Sequence, residues 1–293
     1  MSKLLRGAPV RDAIAAQIHR EADALREQGV QAKVATLRVG ENSGDIYYEA
    51  AIAKNSAKYG MACVNRVFPA DVSQEELEQA LTKLNNDSTV CGIIMLMPFP
   101  KSIDEDRMKA LLSPEKDIDA ITDTSYASLF DAKKPTSDYF CACTAEACME
   151  ILKQNGVELR GQKVTIVGRS IRIGKPLTLM MMNANATVTV CHTKTRPEDL
   201  KAAVQNADIV VLATGMIESF GPELFRSGQV IVDAGTGTGA DGKMAGDLNA
   251  KALEQSPLAA DITYTPVPGG VGTVTTTMLL RNVIKAAKNT LSL

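Results

Sequence analysis

Apolar residues along the chain follow two spacings, one typical of amphipathic helices and one typical of buried strands. Helical spacing predicts helices over residues 9–25, 46–59, 74–84, 144–153 and 274–287. Short apolar runs that end in polar or glycine-rich turns predict strands over residues 34–39, 63–68, 92–97, 163–167, 186–191, 209–214 and 230–233. Strands that alternate with helices predict an α/β fold with parallel sheets, and ligands bind such sheets beyond the carboxyl ends of the strands.

The strands fall into two series, separated by the helix near residues 144–153. A chain of 293 residues, 45% of them apolar, is long enough for two domains with separate cores. The second series has the rhythm of a Rossmann-like nucleotide-binding domain. We therefore predict two α/β domains, the second with a parallel sheet that binds NAD(P).

Charge and composition exclude several classes of partner. A net charge of −2 without a long basic run argues against nucleic acid and anionic membranes, which need clustered Lys and Arg. No segment has the ~20 apolar residues of a membrane span, and the first residues lack the apolar core of a signal peptide, so we expect a cytoplasmic protein with a small-molecule substrate. The six cysteines form no paired CxxC framework and are predicted to be thiols. Zinc is the weaker alternative for Cys141, Cys143 and Cys148, because neither histidine is near them in sequence.

The most distinctive segment is the loop Thr-Pro-Val-Pro-Gly-Gly-Val-Gly at residues 265–272. Pro266 and Pro268 fix φ. Three glycines permit a positive φ and leave room for a ligand beside the bare backbone, namely Gly269, Gly270 and Gly272. The loop leads into a helix, whose free N–H groups we expect to face an anion or a polar ring. These features predict a binding loop.

This loop resembles the TPVPGGVGPMT signature of the methylenetetrahydrofolate dehydrogenase/cyclohydrolase (FolD) family, with Thr273 and Val274 where that family has Pro and Met. Two further matches are Gly168-Arg-Ser-Ile-Arg-Ile-Gly-Lys-Pro176 and Pro114-Glu-Lys-Asp-Ile-Asp119. The three matches lie in order along essentially the whole chain.

The resemblance implies a domain organisation and a function. In the family the last helix returns to the first domain, which implies a folate-binding catalytic domain at residues 1–142 plus 275–293. The NAD(P)-binding Rossmann domain then covers residues 143–274. The resemblance also implies a homodimer, and it places Pro268, Gly269 and Gly270 at the substrate.

The first turn of the second series is the predicted dinucleotide site. Gly168 and Gly174 are six positions apart, so the turn is not the G-x-G-x-x-G fingerprint. Gly174 and Pro176 nevertheless fit a helix start that accepts a pyrophosphate, and an ordinary helix start is the alternative. The nicotinamide half would lie beside Thr214 and Gly215 and beside the loop at residues 265–272, which we call the Pro/Gly loop.

The residues after the next strand favour NADP over NAD. An NAD enzyme typically offers Asp or Glu there to the ribose 2′-hydroxyl, but this chain has His192 and Thr193. Arg169 and Ser170 on the neighbouring turn suit a 2′-phosphate. The resemblance gives the same assignment to these four residues. A solvated strand end is the alternative for His192.

Two positions depart from the family pattern at the folate site. In the family, a helix carries Tyr, three residues, then a catalytic Lys; aligning Gly40 and Gly60 without a gap places Tyr48 and Ile52 there. Lys54 does not replace the lysine, since six residues along a helix leave it roughly 120° around from Tyr48. The glutamine that partners the lysine in the family is Leu96. Both members of the polar pair are thus apolar.

The remaining folate contacts are implied by the resemblance. Asp119 matches the carboxylate that holds the amino edge of the pterin, where it can accept two parallel N–H bonds. Tyr48 would pack its ring on the folate. The alternatives are an exposed loop acid for Asp119, a core aromatic for Tyr48, and plain core packing for Ile52 and Leu96.

These departures separate the two reactions of the family. Hydride transfer from 5,10-methylenetetrahydrofolate to nicotinamide needs alignment and no proton transfer. Cyclohydrolase chemistry needs an acid/base group, and neither Ile52 nor Leu96 can move a proton. We therefore expect an NADP-dependent dehydrogenase with weak or absent cyclohydrolase activity. The alternatives are a bifunctional dehydrogenase/cyclohydrolase, a non-catalytic NADP-binding sensor, and a dehydrogenase acting on another pterin.

Overall fold

A computed structural model describes residues 3–131 and 139–291. Its strands are β1 Lys3–Leu4, β2 Lys33–Val39, β3 Ala62–Phe68, β4 Gly92–Met95, β5 Lys163–Val167, β6 Thr187–Cys191, β7 Ile209–Leu212, β8 Val230–Asp233, β9 Gly237–Thr238, β10 Met244–Ala245 and β11 Thr263–Tyr264. Its helices are α1 Gly7–Glu27, α2 Ser43–Lys58, α3 Gln74–Asn86, α4 Glu105–Leu111, α5 Asp123–Ser128, α6 Cys143–Gln154, α7 Gly174–Asn183, α8 Pro197–Asn206, α9 Ala250–Glu254 and α10 Val271–Leu291. The predicted α/β class is confirmed.

The chain divides into two compact units, as predicted, with different boundaries. One, which we call the six-stranded unit, comprises Met1–Ala13 and Ala142–Met278; the other, the three-stranded unit, comprises Ile14–Cys141 and Leu279–Leu293. The sequence placed the first residues in the folate domain. They belong instead to the six-stranded unit, because β1 pairs with β11 in parallel register, Lys3 opposite Thr263.

The six-stranded unit contains a fully parallel sheet in the order β1-β11-β8-β7-β5-β6. The strands β5, β7 and β8 are almost entirely buried, as their continuous runs of Val and Ile require in a sheet covered on both faces. The chain leaves β5 first to β6 on one side and then to β7 on the other. Ligands bind doubly wound sheets beyond the strand ends at such a reversal.

The three-stranded unit is built on the parallel sheet β3-β2-β4. Helix α3 shows why the periodicity predicted it: Leu77, Leu81 and Leu84 lie at helical spacing and are buried, and Ser73 caps the first turn by accepting a hydrogen bond from the Glu76 N–H. Here too the chain passes from the central strand β2 first to β3 on one side and then to β4 on the other. The carboxyl ends of β2 and β4 are therefore the expected ligand edge of this unit.

The described residues bear on three negative predictions. No helix in ranges 3–131 and 139–291 is long and apolar enough to cross a membrane. Within the same ranges no group of three or more His, Cys, Asp or Glu side chains is arranged to hold a metal ion. None of the six cysteines, all within the described ranges, forms a disulfide.

Candidate functional site

The turn after β5 requires glycine at two points. Gly168 has a φ of 130°, and a Cβ on it would lie 2.2 Å from the Ala213 carbonyl oxygen. A Cβ on Gly174 would lie 2.2 Å from the Gly168 carbonyl oxygen. The backbone therefore folds back on itself at the end of β5, in a space that only glycine permits.

The start of α7 offers fewer free donors than the sequence suggested. Ser170 accepts a hydrogen bond from the Ile173 N–H through its Oγ (3.1 Å) and from the Lys175 N–H through its carbonyl (3.0 Å). Pro176 has no N–H. An anion at this turn would therefore depend on side chains more than it would at a bare helix start.

The four residues predicted to select NADP follow the carboxyl ends of two paired strands. Because Val167 of β5 lies opposite Cys191 of β6, the turn with Arg169 and Ser170 and the turn with His192 and Thr193 begin at the same end of the sheet. The Arg169 side chain is exposed and forms no hydrogen bond or ion pair with any described residue. A guanidinium in that state suits a phosphate.

The backbone holds the His192 ring in a defined orientation. Its Nδ1 accepts a hydrogen bond from the Lys194 N–H at 3.1 Å, and its backbone N–H donates to Thr195 Oγ1 at 2.9 Å. Because Nδ1 is the acceptor, the neutral ring carries its proton on Nε2, which can act as a donor. This arrangement fits a phosphate or ribose oxygen better than a freely rotating surface histidine.

The turn at Thr214 and Gly215 is held by a residue that sequence reasoning missed. Asp247 Oδ2 accepts hydrogen bonds from the Thr214 N–H (2.6 Å), the Thr214 Oγ1 (2.8 Å) and the Gly215 N–H (3.2 Å). No periodicity or motif of the sequence singles out Asp247. Its partners are 32 and 33 residues away along the chain.

A second buried carboxyl, Asp233, lies at the end of β8. Burial, together with the charge of Asp247, raises the pKa of Asp233 to about 6, against three backbone hydrogen bonds that favour the charged form. A carboxyl group with this pKa is largely protonated in mildly acidic solution.

The Pro/Gly loop differs in one respect from its prediction. Gly269 has the predicted positive φ, 105°, but Gly270 and Gly272 do not, and Gly272 lies in the first turn of α10. Gly270 is required for another reason, since a Cβ on it would lie 2.5 Å from the Pro266 carbonyl oxygen. The Gly7 N–H donates to the Gly269 carbonyl at 2.7 Å, which ties the loop to the start of α1.

The loop borders a cavity of about 310 Å³ within the six-stranded unit. Its lining includes Pro268, Gly269 and Gly270 from the loop and Asp233, Thr236 and Met244 from the segment after β8. A cavity of this size, beside the exposed backbone of the loop, can take a planar ring.

In the three-stranded unit, α2 carries Tyr48 and Ile52 one turn apart. Asn42 caps this helix by accepting hydrogen bonds from the N–H groups of Gly44 and Asp45. Tyr48 is half-buried, whereas Ile52 is completely buried (0% exposed) and Lys54 is exposed. Lys54 therefore does not share the environment of Ile52, as the helical geometry predicted.

Leu96 and Asp119 lie near the ends of neighbouring strand segments. Leu96 follows β4, is 5% exposed, and donates its N–H to the Leu37 carbonyl on β2 at 2.9 Å. Asp117 forms a parallel bridge with Ile93 of β4, which places the half-buried Asp119 beside the same strand. The topology thus brings Tyr48, Leu96 and Asp119 toward the carboxyl edge of this sheet.

Asp117 shapes the turn that carries Asp119, and the sequence did not predict this role. Its carboxylate accepts four hydrogen bonds, from the N–H groups of Ile121 and Thr122 and from the hydroxyls of Thr122 and Ser125. Between these residues, Ala120 has a φ of 53°, an uncommon conformation for a residue with a Cβ. The carboxylate stabilises the turn that Ala120 strains.

A buried polar cluster accompanies the apolar pair. Glu49, next to Tyr48 on α2, accepts hydrogen bonds from Arg38 Nε (3.0 Å) and from Thr36 Oγ1 (2.6 Å) on β2. Arg38 also donates through Nη1 to the Gly40 carbonyl. The polar residues at alternate positions of an otherwise apolar strand were the available signal for this cluster. The inner face of α2 is therefore charged at Glu49 and apolar one turn later at Ile52.

The thiol of Cys63 on β3 lies near this cluster. Burial, together with the charge of Glu49, raises the pKa of this thiol to about 11. Cys63 therefore stays protonated near neutral pH and is a poor nucleophile.

Two family models match the chain. The tetrahydrofolate dehydrogenase/cyclohydrolase NAD(P)-binding domain matches residues 142–291, and the catalytic domain of the same family matches residues 5–119. The chain is 37% identical to the bifunctional protein FolD of Alkaliphilus oremlandii over 288 residues, which cover 98% of each chain.

Solved structures of the same kind superpose closely. The bifunctional FolD enzyme of Campylobacter jejuni matches with a TM-score of 0.92 at 29% identity, over 99% of both chains. The Trypanosoma brucei methylenetetrahydrofolate dehydrogenase-cyclohydrolase, solved with NADP and an inhibitor, matches with a TM-score of 0.91 at 30% identity, over 100% of this chain and 99% of the other.

Proposed function

Because the chain belongs to the tetrahydrofolate dehydrogenase/cyclohydrolase family, we propose that it is an NADP-dependent 5,10-methylenetetrahydrofolate dehydrogenase with weak or absent cyclohydrolase activity. One observation carries the second half of this proposal. The positions assigned to the family's catalytic Lys and its Gln partner hold Ile52 and Leu96, both buried. Neither side chain can accept or deliver a proton.

The dehydrogenase reaction makes modest demands on the side chains. When bound, NADP supplies the hydride acceptor, and no protein group has to transfer a proton. The chain has to align the folate and tolerate the positive charge of the methenyl product. Asp119 would hold the amino edge of the pterin and Tyr48 would pack on its ring.

The preference for NADP rests on charge at the end of the two paired strands. Arg169 is free for a 2′-phosphate, His192 offers an N–H, and Ser170 and Thr193 add hydroxyls. The NADP bound to the Trypanosoma brucei relative supports this assignment. No carboxylate stands at this point to hold the 2′-hydroxyl of NAD.

The bifunctional enzyme is the second candidate, and the comparisons favour it over the monofunctional enzyme. A relative that matches 98% of the chain is named bifunctional, as is the Campylobacter jejuni structure, and the Trypanosoma brucei structure is named a dehydrogenase-cyclohydrolase. If this candidate is right, a group other than Ile52 or Leu96 moves the proton. Membership of an enzyme family gives no support to a non-catalytic sensor.

Two assays on one purified sample test the proposal. The first follows NADPH formation from methylenetetrahydrofolate, and the second follows hydrolysis of methenyltetrahydrofolate above its spontaneous rate. We expect the first activity with little of the second. Hydrolysis at a rate comparable to the dehydrogenase rate would show that the bifunctional candidate is correct. NADP in place of NAD should give the larger kcat/KM.

The oligomeric state and the location remain predictions. We propose a homodimer formed through the six-stranded unit, where β6 is an edge strand with an exposed Val190. Light scattering at several concentrations tests it, and a monomer throughout would contradict it. The cytoplasmic location stays a prediction from the sequence.

A further inference from the structure

Two carboxylates buried in the six-stranded unit have no role in the cofactor assignment above. Asp233 ends β8 and is 2% exposed, and Asp247 follows β10 and is 0% exposed. A buried carboxylate needs several hydrogen bonds to offset the loss of hydration. The partners of these two therefore indicate what they hold in place.

Asp247 directs its hydrogen bonds to a single turn. Its Oδ2 accepts hydrogen bonds from the backbone N–H groups of Thr214 and Gly215 and from the Thr214 hydroxyl, at 2.6 to 3.2 Å. Its Oδ1 is buried and has no hydrogen-bond partner in the described structure. That oxygen instead lies against Gly235, where a Cβ would be only 2.3 Å away. The carboxylate is thus wedged between Gly235 and the turn.

Asp233 holds the backbone that carries Asp247. Its Oδ1 accepts from the N–H groups of Asp247 (3.1 Å) and Gly235 (2.9 Å), and its Oδ2 accepts from the Leu248 N–H (2.9 Å). A Cβ on Gly246 would lie 2.1 Å from Asp233 Oδ2. Asp233 therefore packs on Gly246, the residue before Asp247, and Asp247 packs on Gly235, two residues after Asp233. Because each carboxylate holds the segment that carries the other, we call the pair a clamp.

From this geometry we propose that Asp247 is a positioning residue for the cofactor, which sets the turn at Thr214 and Gly215, and that Asp233 fixes Asp247. The inference rests on the proposed function, in which this turn lies beside the nicotinamide half of NADP. Without the carboxylate, two N–H groups of the turn lose their acceptor and the turn loses its defined position.

The test compares three variants in NADPH binding and in steady-state kinetics. Asp247→Ala removes the acceptor. Asp247→Asn retains an amide oxygen for the same donors and places its amide nitrogen where the unpartnered Oδ1 lies. Asp241→Asn changes an exposed carboxylate whose partner is Lys251 and serves as the matched control.

We expect Asp247→Ala to weaken NADPH binding by about 10-fold to 100-fold, since hydrogen bonds to a charged acceptor are lost. The KM for NADP should rise by a similar factor, while the KM for methylenetetrahydrofolate changes little. Asp247→Asn should recover most of the binding, and Asp241→Asn should match the wild type. Thermal unfolding of each variant separates loss of position from loss of fold.

The outcomes distinguish this inference from the proposed function. Wild-type protein that binds neither NADPH nor NADP would refute the proposed function, and this inference with it. Wild-type binding that Asp247→Ala leaves unchanged would overturn the positioning role alone. If Asp247→Ala does not fold, Asp247→Asn decides: wild-type binding supports an acceptor role, and binding lost from a folded Asn variant overturns it. Equal increases in both KM values would also overturn it.

Discussion

Introducing the family's polar pair at the positions of Ile52 and Leu96 should create or greatly increase cyclohydrolase activity. The perturbation is the double substitution Ile52→Lys with Leu96→Gln, at two buried positions of the three-stranded unit. A positioned acid/base group contributes about 10² to 10⁴ in rate. At about 1.4 kcal/mol for each factor of ten, the barrier should fall by about 3 to 5 kcal/mol.

The structure also predicts how much the substitution Ile52→Lys lowers the free energy of unfolding. Ile52 is completely buried, so its replacement loses about 1.5 to 3 kcal/mol of apolar burial, and the ammonium group must be desolvated as well. Ile52→Lys alone should therefore be destabilised by about 3 kcal/mol or more. In the double variant, the amide that Leu96→Gln introduces supplies a hydrogen-bond acceptor, so this variant should be more stable than the sum of the two single changes predicts.

The assay follows the loss of methenyltetrahydrofolate absorbance above the spontaneous rate, with urea unfolding of each variant in parallel. Ala50→Lys is the matched control, because it introduces the same side chain on an exposed position of the same helix. We expect no gain of hydrolysis from it. A folded double variant that hydrolyses no faster than the wild type would refute the assignment of Ile52 and Leu96 to the lysine and glutamine positions.

Three further predictions follow from the buried groups. Glu49→Ala should lower the free energy of unfolding by about 3 to 5 kcal/mol in urea titration, because it leaves a buried arginine without its partner; a loss below about 1 kcal/mol would contradict the burial. The pKa of Asp233 is raised from 3.8 to about 6, so the unfolded chain releases this proton near pH 4 and the folded chain retains it to about pH 6. Titration of Asp233 should therefore lower the free energy of unfolding by about 3 kcal/mol as pH rises through that interval. Asp247→Asn should reduce this loss, and an equal pH dependence of stability in the wild type and in Asp247→Asn would contradict an electrostatic coupling between Asp233 and Asp247. Gly168→Ala should abolish NADPH binding through its clash with a carbonyl oxygen, whereas Gly156→Ala, also at a positive φ but with no atom within 4 Å, should bind normally and lose only about 1 to 2 kcal/mol of stability.

The sequence predicted the elements whose signals are local. Helix α3 and strands β2, β5 and β8 lie within a few residues of their predicted positions, because apolar spacing reports directly which face of an element is buried. Short elements without strong periodicity, such as α4 and α5, were not predicted. Strand β4 ends at Met95, two residues before the predicted end, since the chain turns toward Pro98.

The residues of the candidate site also divide into those that local motifs predict and those that only the structure reveals. The motifs that carry the family resemblance lie in contiguous turns, so Gly168, Asp119 and the Pro/Gly loop could be proposed as site residues without a structure. The residues that hold those turns were not: Asp117 holds the turn of Asp119, and Asp247 holds Thr214 and Gly215. Carboxylates of this kind have no distinguishing spacing, because an Asp in a polar turn looks the same whether it is solvated or buried.

The sequence by itself determined the fold class and the family, since each depends on residue type and local order, and the proposed loss of the polar pair also rests on the sequence alone. Only the tertiary structure decided that β1 joins the six-stranded sheet, that Glu49 is paired with Arg38, and that Asp233 and Asp247 clamp the strand ends. The physical reason is that these are contacts between segments far apart along the chain. Their energy comes from burial and hydrogen bonding, which are fixed only when the sheets have assembled.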